Sequence, residues 1–339
     1  MISQAIARIT EGESLDREES RALMLHIMRG EASDAQIASL LTALKMRGET
    51  PEEIAGFAQG MRESAVRIKP AAAPLVDTCG TGGDGQRTFN VSTAAAFIVA
   101  GAGVPVAKHG NRGVSSPCGS ADVLEALGVN IDLEPEATRA CIEEVGIGFL
   151  FAPRYHPAMR HVMRARKEMG IPTAFNLLGP LANPAGAEVQ LLGVSRREKG
   201  PLLARALAEM GTKRAMVVHG EDGLDEISTA APTLVWEVDN GALREGRIDP
   251  GELGLPPGKR SELRGGDAPS NAAIIRDEIL AGKRGPRRDI AVLNAAAALV
   301  LAGKADDLEE GLAAAEESID SGRALAKLLE LVHFSRRGG

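Results

Sequence analysis

The 339-residue sequence is poor in aromatic residues, which make up 3% of the chain and include one Trp and one Tyr. A surface that binds nucleic acid by stacking bases on aromatic rings is therefore poorly supplied. Basic charge is also in deficit, because 39 Lys and Arg against 46 Asp and Glu give a net charge of −7. A general polyanion binder would carry a basic face. These shortages predict no nucleic-acid partner, and any phosphate site must be a local concentration of donors.

Cysteines and long apolar runs are scarce as well. The cysteines Cys79, Cys118 and Cys141 are odd in number, widely spaced and without metal-ligand spacing, which is typical of reduced thiols in the cytosol. The N-terminus lacks the apolar core of a secretory signal. No run approaches the roughly 18–20 apolar residues that a membrane span needs. We therefore expect a cytoplasmic protein without a membrane partner.

The patterns along the chain divide it in two. Residues 1–70 are predicted to be helical throughout, with capping patterns that begin at Ser33 and Thr50. A proline- and alanine-rich stretch, residues 69–74, breaks this pattern and predicts a linker. Residues 75–339 alternate short β-branched runs with helices, which predicts a mostly parallel central sheet flanked by helices. The expected fold class is α/β, with a small N-terminal helical domain and a larger α/β domain.

Six short strands are predicted in the larger domain, with helices between most of them. In such sheets ligands bind at the carboxyl ends of the strands. The expected strands are 75–76, 104–108, 147–152, 189–194, 215–219 and 234–238; helices are expected at 94–100, 121–127 and 135–145 and in the Ala-rich tail 271–331.

A glycine-rich turn, residues 80–85 (GTGGDG), follows the first predicted strand. Its spacing matches the dinucleotide-binding fingerprint, which also needs an acidic residue roughly 20 positions further on. That region contains Lys108 and no acid, and no Gly-Lys-Ser/Thr sequence closes a P-loop. What remains is a run of backbone N–H groups that glycines can bring close to an anion. The turn therefore predicts a phosphate site rather than a common nucleotide motif.

Two further segments supply donors. Residues 90–93 (NVST) are expected to cap the helix 94–100 and to add hydroxyls at its positive end. The loop 108–116 (KHGNRGVSS) combines two cations, an amide and two hydroxyls, a set that suits a pyrophosphate. A tight structural turn and a solvated polar loop are the alternatives for each segment alone. Their convergence favours a single phosphate-binding site.

Arg166 and the pair Asp225-Glu226 are singled out by their positions. On the helix around 159–169 an apolar stripe continues one turn on to Arg166, and an inward arginine needs a partner. That partner is either a carboxylate of this chain or a bound ligand. Two adjacent carboxylates beside a phosphate site suggest Mg²⁺, although such a pair is more often a solvated loop.

Six blocks of the sequence resemble the anthranilate phosphoribosyltransferase family, in order and over nearly the whole chain. They are DTCGTGGD (77–84), NVST (90–93), KHGNR (108–112), GSAD (119–122), FNLLGPL (175–181) and HGEDGLDE (219–226). The resemblance implies transfer of phosphoribose from phosphoribosyl pyrophosphate (PRPP) to the amine of anthranilate, an early step of tryptophan biosynthesis, with Mg²⁺ as cofactor. It also implies a homodimer formed through the helical domain. A returning segment near 166–184 is expected to be part of that domain.

The resemblance further implies roles for individual residues. Mg²⁺ is expected to be bound by Ser92, Asp225 and Glu226. The residues expected around PRPP are Gly80, Gly83, Asp84, Thr88, Asn90, Val91, Ser92, Thr93, Lys108, Asn111, Ser116 and Ser120. The anthranilate pocket is expected to comprise Gly80, His109, Asn111, His156, Arg166, Gly179 and Pro180, with Arg166 gripping the carboxylate. We expect no strong general base, and His109 is the candidate for a catalytic base. The sequence departs from many relatives at Pro172, where they have arginine.

Two other functions stay open at this point. A pyrimidine nucleoside phosphorylase shares the general fold but uses free phosphate and needs no metal, so the Asp225-Glu226 pair and the glycine turn count against it. A relative that kept the fold but binds nucleic acid should show a basic surface and eroded motifs. This chain is acidic and its motifs are intact.

Overall fold

The N-terminal helices begin at the capping residues that the sequence predicted. The computed structural model describes residues 1–113 and 117–337. The Ser33 and Thr50 side chains each accept a hydrogen bond from the backbone N–H three residues on, and the side chains of Gln36 and Glu53 reciprocate, forming complete capping boxes. The helices are α1 (Ile2–Thr10), α2 (Arg17–Met28), α3 (Asp34–Arg47) and α4 (Pro51–Glu63).

The larger domain is built on a seven-stranded sheet of order β3-β2-β1-β4-β5-β6-β7. Strands β1 to β5 run parallel, and β6 and β7 are antiparallel additions at one edge. The strands are β1 (Val76–Gly80), β2 (Val106–Gly110), β3 (Ile147–Phe151), β4 (Val189–Gly193), β5 (Arg214–Gly220), β6 (Thr233–Asp239) and β7 (Ala242–Ile248). The predicted fold class is confirmed. Two details were wrong: β1 continues through polar residues to Gly80, and the mostly exposed, charged β7 was not predicted.

Helices cover both faces of the sheet. One core joins the sheet to α5 and to the C-terminal helices, and a second joins its other face to α11 and the helical domain. The helices are α5 (Val91–Gly101), α6 (Ser120–Ala126), α7 (Pro135–Val145), α8 (Ala152–Tyr155), α9 (Arg160–Met169), α10 (Phe175–Leu181), α11 (Lys199–Glu209), α12 (Ala268–Ala273), α13 (Pro286–Leu301), α14 (Leu308–Asp320) and α15 (Arg323–Arg337). Across the described ranges, no helix is both long and apolar enough to cross a membrane.

Helices α9 and α10 return from the larger domain to the N-terminal helices. Helix α9 packs against α2 and α3, and α10 packs against α4. The Nζ of Lys45 donates to the carbonyl of Pro172 (2.8 Å), and the Nε of Arg62 donates to the carbonyl of Leu181 (2.6 Å). We therefore propose that the helical domain comprises residues 1–70 and the returning segment near 166–184, with residues 75–339 supplying the α/β domain.

Side chains replace part of the hydrogen-bond ladder between β1 and β2. The two strands pair at Val76 and Val106. Beyond this point the N–H of His109 donates to the Oδ1 of Asp77 (3.3 Å), and the Nζ of Lys108 donates to the carbonyl of Thr78 (2.6 Å). Buried backbone groups need partners, and here two buried charged side chains provide them. The carboxyl ends of β1 and β2 are thus held by side chains, at the edge of the sheet where ligands bind in parallel α/β folds.

Candidate active site

The glycine-rich turn lies at the carboxyl end of β1. The chain passes from β1 to β2 on one side of the sheet and later places β4 on the other, so β1 and β4 form the switch point where ligands bind in such sheets. Gly82, Gly83 and Gly85 have φ values of 64°, 81° and 70°, a region that side chains with a Cβ rarely adopt. The N–H of Gly82 donates to the Oδ2 of Asp225 (2.8 Å). The turn is therefore joined to the loop after β5, residues 221–226, which is called the acidic loop below.

Helix α5 starts earlier than predicted. It begins at Val91, so residues 91–93 form its first turn and do not precede it. Asn90 is the N-cap residue, but its side chain makes no capping hydrogen bond. Its Nδ2 donates to the carbonyl of Cys118 (3.2 Å), and its Oδ1 accepts from the Nδ2 of Asn271 (3.0 Å). The amide of Asn90 therefore ties the helix start to two other segments.

The first turn of α5 faces the acidic loop. The N–H of Ser92 donates to the Oε1 of Glu226 (3.2 Å), and the Oγ of Ser92 lies 3.4 Å from the Nζ of Lys108. Val91 and Thr93 are buried, at 1% and 0% exposure. Their side chains are thus closed off from solvent, and their N–H groups already donate within the chain, that of Val91 to the carbonyl of Phe89 (2.8 Å) and that of Thr93 to the carbonyl of Asn90 (3.1 Å).

Three carboxylates crowd together beside the turn. Burial, followed by repulsion from the neighbouring Asp84, raises the pKa of Asp225 to about 7. Burial, together with the Asp225 charge, raises the pKa of Glu226 well above its usual range, although Lys108 opposes this shift. The Oδ2 of Asp84 is buried without a hydrogen-bond partner. Like charges at short range favour protonation, and a further cation bound here would favour the charged carboxylates.

This donor set fits a magnesium ion held jointly with a ligand. Hard oxygen atoms suit Mg²⁺, which usually keeps several waters and takes one or two carboxylates together with phosphate oxygens. Within residues 1–113 and 117–337 no group of three His, Cys, Asp or Glu side chains is arranged to hold a metal alone. A Cβ on Gly80 would lie 2.8 Å from the Oδ2 of Asp225, and one on Gly193 would lie 1.6 Å from its carbonyl oxygen. The two glycines thus let Asp225 sit directly against the strand ends.

Two buried histidines lie close together beside α10. The rings of His109 and His156 lie 5.2 Å apart between centroids and tilt by 57°. The Nδ1 of His109 is 3.2 Å from the carbonyl of Gly179, which can only accept, so Nδ1 carries the proton and Nε2 presents a lone pair. Burial lowers the pKa of His109 to about 3 and that of His156 to about 4. Both Nε2 atoms are buried without a partner.

Arg166 lies on α9, next to the ring of Phe175 at the start of α10. The predicted apolar stripe is partly wrong, because Met163 is 53% exposed and the buried residues of the helix are Val162 and Ala165. Arg166 itself is half-buried, and burial lowers its pKa with no compensating carboxylate. Its guanidinium lies over the ring of Phe175, 5.2 Å from the centroid. Throughout the described part of the chain it forms no ion pair, which leaves its charge available for a ligand.

Comparison with known proteins agrees with this geometry. A family model described as the a/b domain of a glycosyl transferase family matches residues 72–325, and one described as its helical bundle domain matches residues 3–65. An anthranilate phosphoribosyltransferase from Pelotomaculum thermopropionicum is 57% identical over 335 residues, covering 99% of this chain and 97% of its own. The chain belongs to the anthranilate phosphoribosyltransferase family.

Solved structures of the family share the fold over the whole chain. The anthranilate phosphoribosyltransferase of Thermus thermophilus superposes with a TM-score of 0.93 at 46% identity, covering 98% of this chain and 99% of its own. The Saccharomyces cerevisiae enzyme in complex with PRPP and Mg superposes with a TM-score of 0.91 at 30% identity, covering 99% and 98%.

The residues that the resemblance to anthranilate phosphoribosyltransferases assigns to PRPP come from three neighbouring segments. The glycine turn and the start of α5 meet through the acidic loop, and Lys108 joins the same cluster from β2. The N–H of Ala121 (3.2 Å) and the Oγ of Ser120 (3.4 Å) both donate to the carbonyl of Asn111, so α6 starts beside the loop that follows β2. Thr88 forms a β-bridge with Arg264. Ser116 lies outside the described residues.

Three buried residues that support the site were not predicted. Asn183 donates to the Oδ2 of Asp77 (2.8 Å) and to the carbonyl of Ala107 (2.9 Å). The Nε2 of Gln190 donates to the carbonyl of Pro180 (2.6 Å) and so holds the end of α10. Asp77 was quoted only as part of a motif. A polar residue inside an otherwise apolar strand was the available signal for Asp77 and Gln190, since buried polar groups need partners.

The low pKa values of His109 and His156 predict a measurable pH effect on stability. In the folded chain the pKa values of both histidines lie below the unfolded value of 6.5. As pH drops below about 6.5, the unfolded chain therefore takes up protons that the folded chain does not bind, and the free energy of unfolding falls. Between pH 8 and pH 5 we expect each histidine to account for about 2 kcal/mol of lost unfolding free energy. In urea unfolding, His109→Gln and His156→Gln should each shrink the difference between the two pH values. An unchanged difference in both variants would contradict the assignment of neutral buried imidazoles.

Proposed function

We propose that this chain transfers the 5-phosphoribosyl group from PRPP to the amine of anthranilate, giving N-(5-phosphoribosyl)anthranilate and pyrophosphate in tryptophan biosynthesis. The observation that carries the proposal is the bond between the N–H of Gly82 and Asp225, which joins an anion-binding turn to an acidic cluster. The neutral imidazole of His109 and the guanidinium of Arg166, which forms no ion pair in the described residues, both contact α10. This arrangement suits an anionic donor that carries a metal and an acceptor that carries a carboxylate.

PRPP would be held by the first of these two regions. The N–H groups of the glycine turn, the ammonium of Lys108, and the side chains of Asn111 and Ser120 would supply donors for phosphate oxygens. The hydroxyls of Thr88 and of Ser116, which lies outside the described residues, belong to the same proposed set. Burial lowers the pKa of Lys108, and a bound phosphate would favour its charged form.

Ser92, Asp225 and Glu226 would hold Mg²⁺. The yeast relative whose structure contains PRPP and Mg supports binding of the ion, and the crowding of the carboxylates with Asp84 supports its place. When bound, the ion would offset charge on the pyrophosphate and make it a better leaving group.

Anthranilate would occupy the histidine pocket. The Arg166 guanidinium would pair with the carboxylate through two N–H groups, since its planar fork matches that geometry. The lone pair on the Nε2 of His109 would accept a hydrogen bond from the amine and orient it. Gly179 and Pro180 would line one wall, where a Cβ added at Gly179 would meet no atom within 4 Å. His156 and Asn111 complete the pocket, and Gly80 lies at its border with the donor region.

The residues then act chiefly by positioning. The bond from C1 of the ribose to pyrophosphate breaks and charge develops on the sugar, while the amine nitrogen of anthranilate forms the new bond to C1 and afterwards loses a proton. The backbone N–H groups of the turn and Lys108 stabilise the departing charge. With a pKa of about 3, His109 is a weak base. An arylamine nitrogen bonded to C1 is strongly acidic, so water can take the proton and no strong base is required.

The oligomer and the compartment follow from the same proposal. We propose a homodimer formed through the helical domain, because apolar side chains are exposed there at Met46 (83%), Met163 (53%) and Ile171 (43%). An amino-acid biosynthetic enzyme of this kind would work in the cytoplasm, with PRPP and anthranilate as its partners and without nucleic acid.

Incubation of the purified chain with PRPP, Mg²⁺ and anthranilate tests the function. We expect anthranilate fluorescence to disappear with release of one pyrophosphate per anthranilate consumed. Consumption of pyrimidine nucleosides with inorganic phosphate, and none of anthranilate, would favour the phosphorylase. Nucleic-acid binding without either reaction would favour the binding relative.

The metal assignment predicts a higher magnesium requirement in Asp225→Asn and Glu226→Gln. Each change removes a ligand charge, so the Mg²⁺ concentration for half-maximal rate should rise by about tenfold or more. Glu221→Gln, in the same loop but paired with Arg247 at the surface, is the matched control and should leave it unchanged. An unchanged magnesium dependence in both site variants would show that the ion binds elsewhere.

The acceptor assignment predicts a selective effect of Arg166→Ala. Loss of a charge-assisted pair should raise the KM for anthranilate by about 10- to 100-fold while the KM for PRPP changes little. Arg164→Ala removes an arginine from the same helix that is 75% exposed and pairs with Glu168, and it should behave as the unchanged enzyme. Equal increases in both KM values for Arg166→Ala would contradict the role of this residue.

A further inference from the structure

The ring of Phe175 is the contact that holds the Arg166 guanidinium. The guanidinium carbon lies 5.2 Å from the ring centroid, within the roughly 6 Å over which a cation is attracted to an aromatic face. Phe175 is 4% exposed and belongs to the core that the helical domain shares with α11 and the sheet, so its ring cannot move freely. Within residues 1–113 and 117–337, the Arg166 side chain has neither a hydrogen bond nor an ion pair. The arginine is therefore placed by an aromatic surface and not by a counter-charge.

The same helix face reaches the other side of the pocket. Phe175 begins α10, and Gly179 follows four residues later, so one turn of helix places them on one face. The carbonyl of Gly179 accepts from the Nδ1 of His109 at 3.2 Å. Helix α10 thus sets the spacing between Arg166 at one end and His109 at the other.

An aromatic partner leaves the arginine able to bind a carboxylate. The ring attracts the guanidinium through its face and accepts no conventional hydrogen bond, so the N–H donors stay available. A carboxylate of the chain would occupy those donors and compete with the acceptor. A ring holds the guanidinium without neutralising its charge, and a side chain already ordered loses less freedom when the ligand binds.

We propose that Phe175 is a positioning residue for the acceptor, holding the Arg166 guanidinium at the place where it meets the carboxylate of anthranilate. The proposal rests on the proposed function and adds to it the residue that determines how strongly the carboxylate is recognised. Phe175 touches neither substrate in this account and acts through Arg166.

Phe175→Leu tests the proposal by removing the ring while keeping an apolar side chain. Loss of the cation–π contact should raise the KM for anthranilate by about three- to tenfold, with kcat and the KM for PRPP little changed. Phe57→Leu is the matched control, because Phe57 is 2% exposed in the same core and has no contact with Arg166. In an Arg166→Ala background, Phe175→Leu should have no additional effect on the KM for anthranilate. A further increase in that background, or an equal increase for Phe57→Leu, would overturn the proposal.

A fluorinated ring separates the electrostatic role from packing. Pentafluorophenylalanine at position 175 keeps the shape but reverses the charge of the ring face, so it should raise the KM for anthranilate at least as much as leucine does. This variant decides the matter if Phe175→Leu fails to fold, and an unchanged KM would overturn the proposal. If the unmodified chain does not consume anthranilate at all, the proposed function itself fails. If it does so and the ring variants match Phe57→Leu, the proposed function stands and the role of Phe175 fails alone.

Discussion

The structure depends on two buried charged side chains that replace backbone hydrogen bonds between β1 and β2. Past Val76 and Val106, the side chains of Asp77 and Lys108 bind backbone groups of the opposite strand. A buried charge is tolerated when it is hydrogen-bonded and faces an opposite charge. Burial raises the pKa of Asp77 to about 6 even though Lys108, Asn183 and the N–H of His109 oppose the shift. Replacing either side chain alone would leave the other uncompensated.

This pair of charges also links the two halves of the site. Lys108 reaches Ser92 and so the first turn of α5, which faces Glu226. Asp77 reaches Asn183, which follows α10, and the backbone of His109. Hydrogen bonds of Asp77 and Lys108 thus connect the proposed donor region to the proposed acceptor pocket. In a transfer reaction most of the acceleration comes from fixing the two reactants relative to each other, and this connection serves that purpose.

The two regions differ in charge as the two ligands require. The proposed donor region concentrates carboxylates that repel one another beside Lys108, next to the backbone N–H groups of the glycine turn. The acceptor pocket is lined by imidazoles that burial keeps neutral, with Arg166 as its unpaired cation in the described chain. A net charge of −7 is therefore compatible with binding of a polyanion, because the hydrogen-bond donors and the positive charge that would bind it are concentrated at one place in the structure.

Local patterns were sufficient to predict most elements but not their ends. The capping boxes at Ser33 and Thr50 formed as predicted, because they involve neighbours three residues apart. The extension of β1 through Asp77 and Thr78 was missed, because polar residues in a buried strand are stabilised by partners distant in sequence. Helix α5 began three residues early: Asn90 is its N-cap residue, but the Asn90 amide binds Cys118 and Asn271, which are distant in sequence, and does not cap the helix. Strand β7 was missed because its exposed edge position permits a charged sequence.

The sequence by itself determined the α/β class and the family to which the chain belongs, and it predicted a phosphate site at the glycine turn. These follow from periodicity, from backbone freedom at Gly82 and Gly83, and from motifs whose residues are close in the chain. Only the tertiary structure decided that Asp225 bonds to Gly82, that His109 presents a neutral Nε2, and that Phe175 supports Arg166. Each of these depends on burial and on contacts between distant segments, which set pKa values and orientations that no local pattern contains.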